Sequence, residues 1–581
     1  MSFRHSPLPK LVVVFSLLLG LSVSLSACTA PDTVISGDRP NKPTEIPTVS
    51  VNPETDPARL TIPLTDVPSY LGTGPGADGK TTNPMTGTDG TFTWWTADAA
   101  GLPTTYQPDD IVAFGDPQTY TKVPGVLTFR GNNYRNAPAY GTAAVTQKKL
   151  NVTWTQDIGE IRGEGSYWPG AGWTGQPLLV NWPKETRDAM GFDSEFADKD
   201  LVEVIYPVFE GKIYRLDLET GKPTKPAIDT PACGYKGTGS IDPRGYPLLY
   251  TGQGLHEADG IGTCPWEYRI FDLIQNKQIS GWSGDDPARP RADWGAFDSS
   301  ALVNAASDTL IEPSENGLVY KAKLNAKFDP VAKTVSVNPE LARLRYDTSI
   351  DPEARHGIES SAVAYRNLMF ASDNDGNLIC WDANTLAIIW VRDVGDDSDA
   401  TMVLEETPDG VFLYHGNTVD KRGQLGDKTT NLRKINALTG ELIWQYDVLT
   451  QAEYPNNGGL LATPALGQGE VADLVFFNVA KTRSAREGDL YALDKITGKV
   501  VWQRTLGRYS WSSPVLITSD DGHQYGILCD SGGTMHLFDP NTGYDLDTVS
   551  LGKNVESSPA VFGNMIVVAS YAKKIWAVTI S

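Results

Sequence analysis

Five residues of types that can bind a ligand occur at matching places in a repeated sequence motif. The motif is a short polar run that ends in Ala or Pro, such as ESSA at 359–362 and WSSP at 511–514. The candidate residues at or next to its copies are Trp173, Asp298, Glu359, Trp511 and Glu556. Carboxylate oxygens are the ligands that Ca²⁺ prefers, so cation binding is the first chemistry that the pattern permits. The alternative, which we favour, is that these side chains line a water-filled funnel, and no metal site is predicted.

Other patterns of metal-binding residues are weaker. The six His residues are scattered, and the chain has no His-x-x-x-His or Cys-x-x-Cys spacing, which argues against a zinc site. The run SDNDGNL at 372–378 resembles a calcium-binding loop but lacks a Glu at the required offset. We expect a hairpin turn there.

The five cysteines are Cys28, Cys233, Cys264, Cys380 and Cys529. Cys233 and Cys264 lie in one irregular insertion, and we expect them to form a disulfide if the protein is extracytoplasmic. Cys380 and Cys529 lie in apolar runs of different repeats, where we expect buried free thiols that pack as small apolar groups.

The net charge excludes one large class of partners. The chain of 581 residues has 49 Lys and Arg against 71 Asp and Glu, a formal charge of −22. Binding to a phosphate backbone requires clustered basic residues, and no basic run follows the N-terminus. We therefore predict no nucleic-acid partner.

The first residues have the features of a targeting segment. Arg4 and Lys10 precede a mostly apolar, uncharged run at 11–25, too short to favour a membrane-spanning helix. The run ends in LSAC at 25–28, which resembles the bacterial lipobox. This resemblance implies a lipoprotein signal peptide at 1–27 and a lipid anchor on Cys28 in the membrane, on its extracytoplasmic face. The alternative is an ordinary signal peptide that is cut near Ala27.

Two segments of different character separate the targeting segment from the repeats. Residues 28–90 are rich in Pro, Thr and Gly without periodicity, which predicts a disordered tether. Residues 91–149 contain more aromatic residues and predict an irregular segment that packs on the body. Within it, residues 125–141 either cap one face of the body or line a site.

The remainder, 150–581, consists of imperfect copies of one β-rich unit. The clearest copy, EGDLYALDKITGKVVW at 487–502, has two β-rich runs joined by an Asp-x-x-Thr-Gly turn, typical of a hairpin. Copies every 40–60 residues, without amphipathic helical runs, favour small sheets arranged around an axis. We predict an all-β, eight-bladed β-propeller of four-stranded blades. The alternative, a row of β-sandwich domains, requires regular linkers that the chain does not show.

The two ends of the repeat region complement each other. The last copy ends at 574–580 without an outer strand, and LNVTWTQDIG at 150–159 has the pattern of an outer strand without inner partners. We predict that these strands pair and close the ring, which would remove an exposed edge.

The unit resembles the quinoprotein-type, or PQQ-like, propeller repeat, with the pattern G-x-[IL]-Y-A-L-D-x-x-T-G-K-x-x-W. EGKIYRLDLETGKP and EGDLYALDKITGKVVW match it well, and ENGLVYKAKLN matches it poorly. The family includes PQQ-dependent alcohol and glucose dehydrogenases. It also includes a non-enzymatic lipoprotein branch that contains the outer-membrane assembly propeller. A lipobox before a propeller resembles the second branch, although the long tether would suit a Gram-positive membrane.

The dehydrogenase branch implies features that this sequence lacks. Those enzymes usually have adjacent cysteines over the quinone, a Glu/Asn/Asp set on Ca²⁺, a catalytic Asp and a Trp under the ring. The chain has no adjacent Cys pair, and its motifs match no Ca²⁺ ligands. We therefore expect no enzyme and no cofactor, with PQQ and calcium as the disfavoured alternative.

Together these features predict a lipid-anchored propeller in the cell envelope that binds or scaffolds another protein. The first alternative is a quinone-dependent dehydrogenase. The second is an envelope polysaccharide binder, which only the many aromatic residues support.

Overall fold

The computed structural model describes residues 33–44, 52, 54–72, 74–108, 110–163, 165–172, 175–197, 199–350, 356–420, 423, 425–453 and 457–581. The predicted signal peptide and Cys28 lie outside these residues, as does Trp173. Asp32–Ser581 form one compact unit. No helix in the described part is long and apolar enough to span a membrane.

The repeat unit is a hairpin whose turn is fixed by its Asp. In the copy with strands Gly488–Asp494 and Val500–Leu506, the Asp494 carboxylate accepts hydrogen bonds from the Thr497 amide and hydroxyl, both at 2.8 Å. Gly498 completes the turn at φ +69°, a conformation that costs a residue without Cβ little. The Asp-x-x-Thr-Gly pattern therefore specifies a local structure wherever it recurs.

The chain folds as an all-β propeller, which confirms the predicted fold class. The described residues contain eight sheets with four or more strands, numbered here in chain order of their innermost strands. From the axis outward, sheet 1 has the strands Leu178–Asn181, Val202–Pro207, Lys212–Asp217 and Ile228–Asp229, and sheet 2 has Ser240–Ile241, Leu248–Gly252, Glu267–Asp272 and Lys277–Ser283. Sheet 3 has Leu302–Asn304, Thr309–Pro313, Leu318–Lys323 and Glu340–Thr348, and sheet 4 has Val363–Tyr365, Leu368–Ser372, Asn377–Asp382 and Ile388–Asp393. In the same order, sheet 5 has Val403–Thr407, Gly410–Gly416, Thr429–Asn436 and Leu442–Leu449, and sheet 6 has Ala465–Leu466, Leu474–Ala480, Gly488–Asp494 and Val500–Leu506. Sheet 7 has Val515–Thr518, Gln524–Cys529, Thr534–Phe538 and Asp545–Ser550, and sheet 8 has Ala560–Phe562, Met565–Ser570, Lys574–Ile580 and Leu150–Asp157.

Seven of these sheets are unbranched in the described part, and sheet 6 branches. Its strand Leu474–Ala480 pairs with Ala465–Leu466 at one end and with Gly458–Gly459 at the other, and Gly458–Gly459 also pairs with Thr418–Val419. The predicted number of eight blades counts this branched sheet as a blade and stays a prediction.

The other short elements lie in insertions of the repeat region and in the segment before residue 150. The short hairpins are Glu160–Gly163 with Ser166–Pro169, Glu257–Ala258 with Gly262–Thr263, and Lys327–Asp329 with Thr334–Ser336. Among the described residues, helices with complete bounds are Pro57–Leu60, Lys184–Met190 and Ser194–Ala197, with 3₁₀ turns at Leu64–Asp66, Pro117–Thr119 and Gly469–Val471.

The strand Leu150–Asp157 forms the outer strand of sheet 8. It pairs antiparallel with Lys574–Ile580, in a register that places Trp576 opposite Thr155. The last sheet therefore combines the C-terminus with a strand from the beginning of the repeat region. Closure of the ring by this pairing stays a prediction.

Neighbouring sheets contact each other through a tryptophan and a turn glycine. Trp444 of sheet 5 donates its indole N–H to the Lys495 carbonyl of sheet 6 at 3.0 Å. A Cβ on Gly498 would lie 2.7 Å from Trp444 Cδ2, so only glycine leaves room for the ring. The same packing joins Trp390 to Gly440, Trp502 to Gly543 and Trp154 to Gly221.

The polar motif before each innermost strand links the sheets at the axis. The Ser300 amide donates to the Ser361 hydroxyl at 2.9 Å, and the Ser361 amide donates to the Thr401 hydroxyl at 2.8 Å. The Thr463 and Ser513 amides make the same bond to the next copy, at 3.0 and 3.1 Å. The Ser-Ser pattern therefore satisfies buried backbone donors around the axis.

The predicted tether is wrong for the described residues before 91. Val34–Ser36 pairs with Trp502–Arg504 at the outer edge of sheet 6. Thr81–Pro84 and Thr91–Ala97 extend sheet 3 beyond Glu340–Thr348. A segment that cannot form its own core can still pair its backbone with an exposed sheet edge, and composition does not reveal such pairing.

The propeller has two faces, which strand order distinguishes. The turn face carries the turns between first and second and between third and fourth strands. The funnel face carries the turns between second and third strands and the connections between sheets. The described residues at 33–44, 52, 54–72, 74–108 and 110–144, called here the N-terminal belt, contact turns of the turn face on seven sheets. Contact residues there are Pro243, Asn304, Asn367, Asn384, Leu438, Asp473, Asp494, Asp520, Asn541 and Asn564.

Residues 125–141 of the belt, called here the axial segment, enter the centre of the propeller. Their backbone donates to or accepts from the innermost strands, at Val180, Ile241, Ala364, Leu404 and Val561. Arg130 and Arg135 are buried there. Of the two sequence-based interpretations, this arrangement corresponds to a cap that also fills the axis.

Candidate axial site

The predicted funnel residues that the structure describes lie at the funnel-face end of the axis. Asp298, Glu359 and Glu556 each precede an innermost strand, and Trp511 occupies the same place before Val515–Thr518. Because these connections all lie on the funnel face, the repeat brings the side chains to one end of the axis. Trp173 lies outside the described residues, so its predicted place is untested.

The centre of the site is a group of three carboxylates. Single oxygen atoms of Asp298, Glu315 and Glu359 all lie within 4.8 Å of one another. Glu315 comes from the turn between Thr309–Pro313 and Leu318–Lys323, and Arg291 donates to it at 3.0 Å. The structure thus adds one carboxylate that the opening motif did not identify.

A buried lysine lies against this group. The ammonium of Lys236 forms an ion pair with Asp298, and its Nζ lies 4.0 Å from Glu359 Oε2. The Lys236 side chain is 7% exposed and that of Asp298 is completely buried. A buried charge is stable only when it is paired, so Lys236 and Asp298 stabilise each other's charged form.

The irregular insertion of sheet 2 positions Lys236. Cys233 and Cys264 form a disulfide with a Cα–Cα distance of 5.3 Å. Cys233 lies three residues before Lys236 in the sequence. Gly254 leaves room for the pair, since a Cβ there would lie 2.3 Å from Asp298 Oδ1 and 2.7 Å from Lys236 Cβ. The described free cysteines, Cys380 and Cys529, are both buried in their strands.

Burial and like charge shift the pKa values of the acidic groups. Burial raises the pKa of Asp298 to about 7, although the attraction of Lys236 opposes this shift. Burial and the neighbouring Glu315 and Asp399 carboxylates raise the pKa of Glu359 well above its usual value. Burial alone would lower the pKa of Lys236, but Asp298 and Glu359 raise it above its usual value. The ammonium is therefore charged at neutral pH.

More acidic side chains continue the site along the connection to sheet 5. Burial and Asp420 raise the pKa of Asp399 to about 7. Burial, Asp399 and Glu359 raise the pKa of Asp397 well above its usual value. One Asp397 oxygen, Oδ1, has no hydrogen-bond partner. The raised pKa values favour the protonated, uncharged form of these carboxyl groups, so the axial site does not carry the full negative charge that its acidic residues suggest.

Glu556 and Trp511 form the opposite side of the site. Tyr571 donates to Glu556 at 2.6 Å and Asn554 donates at 2.8 Å, and burial raises the pKa of Glu556 to about 7. The Lys481 ammonium lies 5.5 Å from the Trp511 ring centre and 5.4 Å from that of Tyr509. This side is thus aromatic, with a cation–π contact.

Sequence reasoning missed Lys236, Glu315, Asp397 and Asp399. Lys236 and the two aspartates lie in irregular connections whose course no repeat predicts. Glu315 lies in a second-to-third-strand turn of a degenerate copy. Its position just before the Gly317 turn was the one signal that could have placed it at the funnel face.

Comparison with known proteins supports the repeat assignment. Residues 486–581 match a family model described as "Outer membrane protein assembly factor BamB". Among curated proteins, none matches the chain significantly.

Three solved structures show the range of similar proteins. BamB from Moraxella catarrhalis is 14% identical, with 65% of this chain and 93% of that chain covered, at a TM-score of 0.42. Quinohemoprotein alcohol dehydrogenase from Comamonas testosteroni is 12% identical, with 79% and 80% covered, at 0.50. Quinohemoprotein alcohol dehydrogenase ADHIIG from Pseudomonas putida HK5 is 11% identical, with the same coverage, at 0.51. At such identities the likeness shows the fold alone, a β-propeller. The family-model match shows the PQQ-like repeat pattern for residues 486–581.

Proposed function

We propose that the chain is a lipid-anchored, extracytoplasmic β-propeller that binds or scaffolds another protein of the cell envelope through its funnel face. The observation that carries this proposal is the N-terminal belt, which occupies the turn face of the propeller. The chain itself therefore covers part of the turn face, and this proposal takes the funnel face as the docking surface. The family-model match to an outer membrane assembly factor supports a protein partner.

Anchoring rests on the sequence alone. The lipobox-like LSAC at 25–28 would place a lipid on Cys28 after removal of 1–27, and two or more acyl chains give stable membrane attachment. The envelope location follows from the same segment.

The eight-bladed, closed ring is part of this proposal. Supporting it, Trp154 of the strand Leu150–Asp157 packs on Gly221 of sheet 1 in the same way as Trp444 packs on Gly498. The Ser558 amide of sheet 8 also donates to the Gly175 carbonyl, before sheet 1, at 2.9 Å. A closed ring leaves no free blade edge and gives a rigid disc for docking.

Two hairpins form an apolar part of the funnel face. Glu160–Gly163 with Ser166–Pro169 packs against the region of Glu257–Ala258 with Gly262–Thr263. Tyr167 is 45% exposed and Ile261 is 66% exposed. Aromatic and apolar side chains of this kind provide most of the binding energy at protein interfaces.

Site-specific photo-cross-linking tests the proposal in intact cells. A photoreactive amino acid replaces Tyr167 on the funnel face or, as the matched control, Tyr544, which is 55% exposed in a turn-face hairpin. We expect a discrete cross-linked species from position 167 and none from position 544. Equal labelling from both positions, or none from 167, would contradict the docking face. Cys28→Ala should in parallel release the protein from the membrane fraction.

A quinone-dependent dehydrogenase is the second candidate, because two quinohemoprotein dehydrogenases share the fold. The described residues of the axial site do not fit an anionic quinone. Lys236 is already paired with Asp298, and Arg291 donates to Glu315 at 3.0 Å, so both cations are engaged by carboxylates of the chain. No catalytic step through such a cofactor follows from these residues.

A further inference from the structure

We propose that Lys236 is the built-in cation of the axial site, and that its ammonium stands where the three carboxylates would otherwise hold a divalent metal ion. The inference concerns this side chain and does not depend on the docking function. The lysine makes the axial site a latent metal site, by which we mean that the carboxylate ligands are present but the positive charge comes from the protein itself.

The geometry of the carboxylates is that of a cation site. Asp298, Glu315 and Glu359 each bring an oxygen within 4.8 Å of the others, and calcium is bound by converging carboxylate and carbonyl oxygens. The Asn374 amide adds a polar group at this place. It donates to Glu359 Oε1 at 3.4 Å, and its own Oδ1, in a side chain that is 5% exposed, has no partner.

The ammonium of Lys236 is already inside this arrangement. It pairs with Asp298 and approaches Glu359 to 4.0 Å. A metal ion bound to the same oxygens would lie next to the ammonium in a buried place, where two positive charges repel strongly. Lysine and metal therefore exclude each other.

The surrounding chain is built to hold the lysine in this position. The disulfide between Cys233 and Cys264 anchors its loop. Gly237 lies against the Asp298 backbone, where a Cβ would come within 2.4 Å of the Asp298 carbonyl oxygen. Gly254 leaves space for both side chains of the pair. Three separate features thus fix one ion pair, which argues against an accidental contact.

The test is calorimetric titration of the purified mature protein with calcium. We expect no stoichiometric binding to wild type and a gain of one bound calcium per chain in Lys236→Met. Lys481→Met is the matched control, because it removes a buried lysine from the other side of the funnel and should gain no site. Glu359→Gln added to Lys236→Met should abolish the new binding.

A second variant covers the possibility that Lys236→Met leaves Asp298 unpaired and does not fold. Lys236→Met with Asp298→Asn removes both charges of the pair and keeps an amide oxygen that calcium accepts. Calcium binding by this folded variant would support the inference. Stoichiometric binding to wild type, or no binding to either folded Lys236 variant, would overturn it.

Discussion

Arg135 makes four hydrogen bonds from inside the propeller axis. Its guanidinium donates to the carbonyls of Ala362, Phe129 and Ser300 and to the Thr128 hydroxyl, at 2.6–2.9 Å. Burial lowers its pKa to about 10, so it is still charged at neutral pH. One side chain therefore ties the axial segment to sheets 3 and 4.

Replacement of this arginine should destabilise the fold more than any exposed substitution. Arg135→Met leaves buried carbonyls without donors, and we expect a loss of about 3–5 kcal/mol in the free energy of unfolding. Arg59→Met, at a side chain that is 74% exposed, should cost less than about 1 kcal/mol. Denaturant unfolding followed by tryptophan fluorescence measures both. Equal losses would show that the axial arginine does not hold the sheets together.

His536 should make the folded protein less stable as the pH rises into the alkaline range. The ring lies 2.9 Å from Asp545 and 3.4 Å from Asp530. Although burial opposes the shift, these carboxylates raise the pKa of His536 to about 9 from 6.5. The stabilisation is complete below pH 6.5 and is lost as the pH rises through 9, by up to about 3 kcal/mol. The pKa of His356 is raised to about 9 in the same direction.

The measurement is the melting temperature between pH 6.5 and pH 9 for wild type and His536→Gln. Wild type should lose stability over this range, and the variant should lose less because Gln does not titrate. Parallel curves for the two proteins would rule out His536 as a source of the dependence.

At the scale of elements, the contact between an outer tryptophan and the next turn glycine sets how neighbouring sheets pack. Gly498→Ala combines a φ of +69° with a Cβ 2.7 Å from the Trp444 ring, and we expect a loss of about 2–4 kcal/mol. Gly260→Ala is the control, since Gly260 has a φ of +76° and nothing within 4 Å of its Cβ. It should lose only about 1 kcal/mol. Similar losses in urea unfolding would mean that the backbone conformation alone matters.

The elements that sequence predicts best are those whose structure is local. Asp494, Thr497 and Gly498 define a turn by themselves, so each copy of their pattern marks a hairpin. The opening motif likewise predicts that Asp298 and Glu359 share one end of the axis. The N-terminal belt is different, because Val34–Ser36 is a strand only through its pairing with Val500–Leu506. No composition or periodicity within the segment encodes that partner.

At the scale of the whole molecule, closure of the ring can be tested by a covalent bond. Thr153 Oγ1 and Thr579 Oγ1 lie 2.5 Å apart, across the junction of the two ends of the repeat region. Thr153→Cys with Thr579→Cys should form a disulfide on mild oxidation, which peptide mass analysis detects, and should raise the melting temperature. Thr153→Cys alone is the control. A double variant that stays reduced would show that the two strands do not pair in this register.

The axial site could be predicted only in part, because the repeat places some of its residues and an irregular loop places the others. Asp298, Glu359 and Glu556 repeat in sequence, and radial symmetry brings such residues together. Lys236 enters from an irregular insertion held by a disulfide, and its ion pair with Asp298 depends on the three-dimensional course of that loop. The charge balance of the site, which decides what it can bind, is therefore a property of the folded chain.

The central claim is that the axis of this propeller is filled and neutralised by its own residues, which leaves the funnel face for a protein partner. The most direct measurement is calorimetric titration of the mature wild-type protein with PQQ, with and without calcium. The account predicts no binding heat under either condition. Tight, calcium-dependent binding of one PQQ per chain would contradict it and would favour a quinone-dependent dehydrogenase.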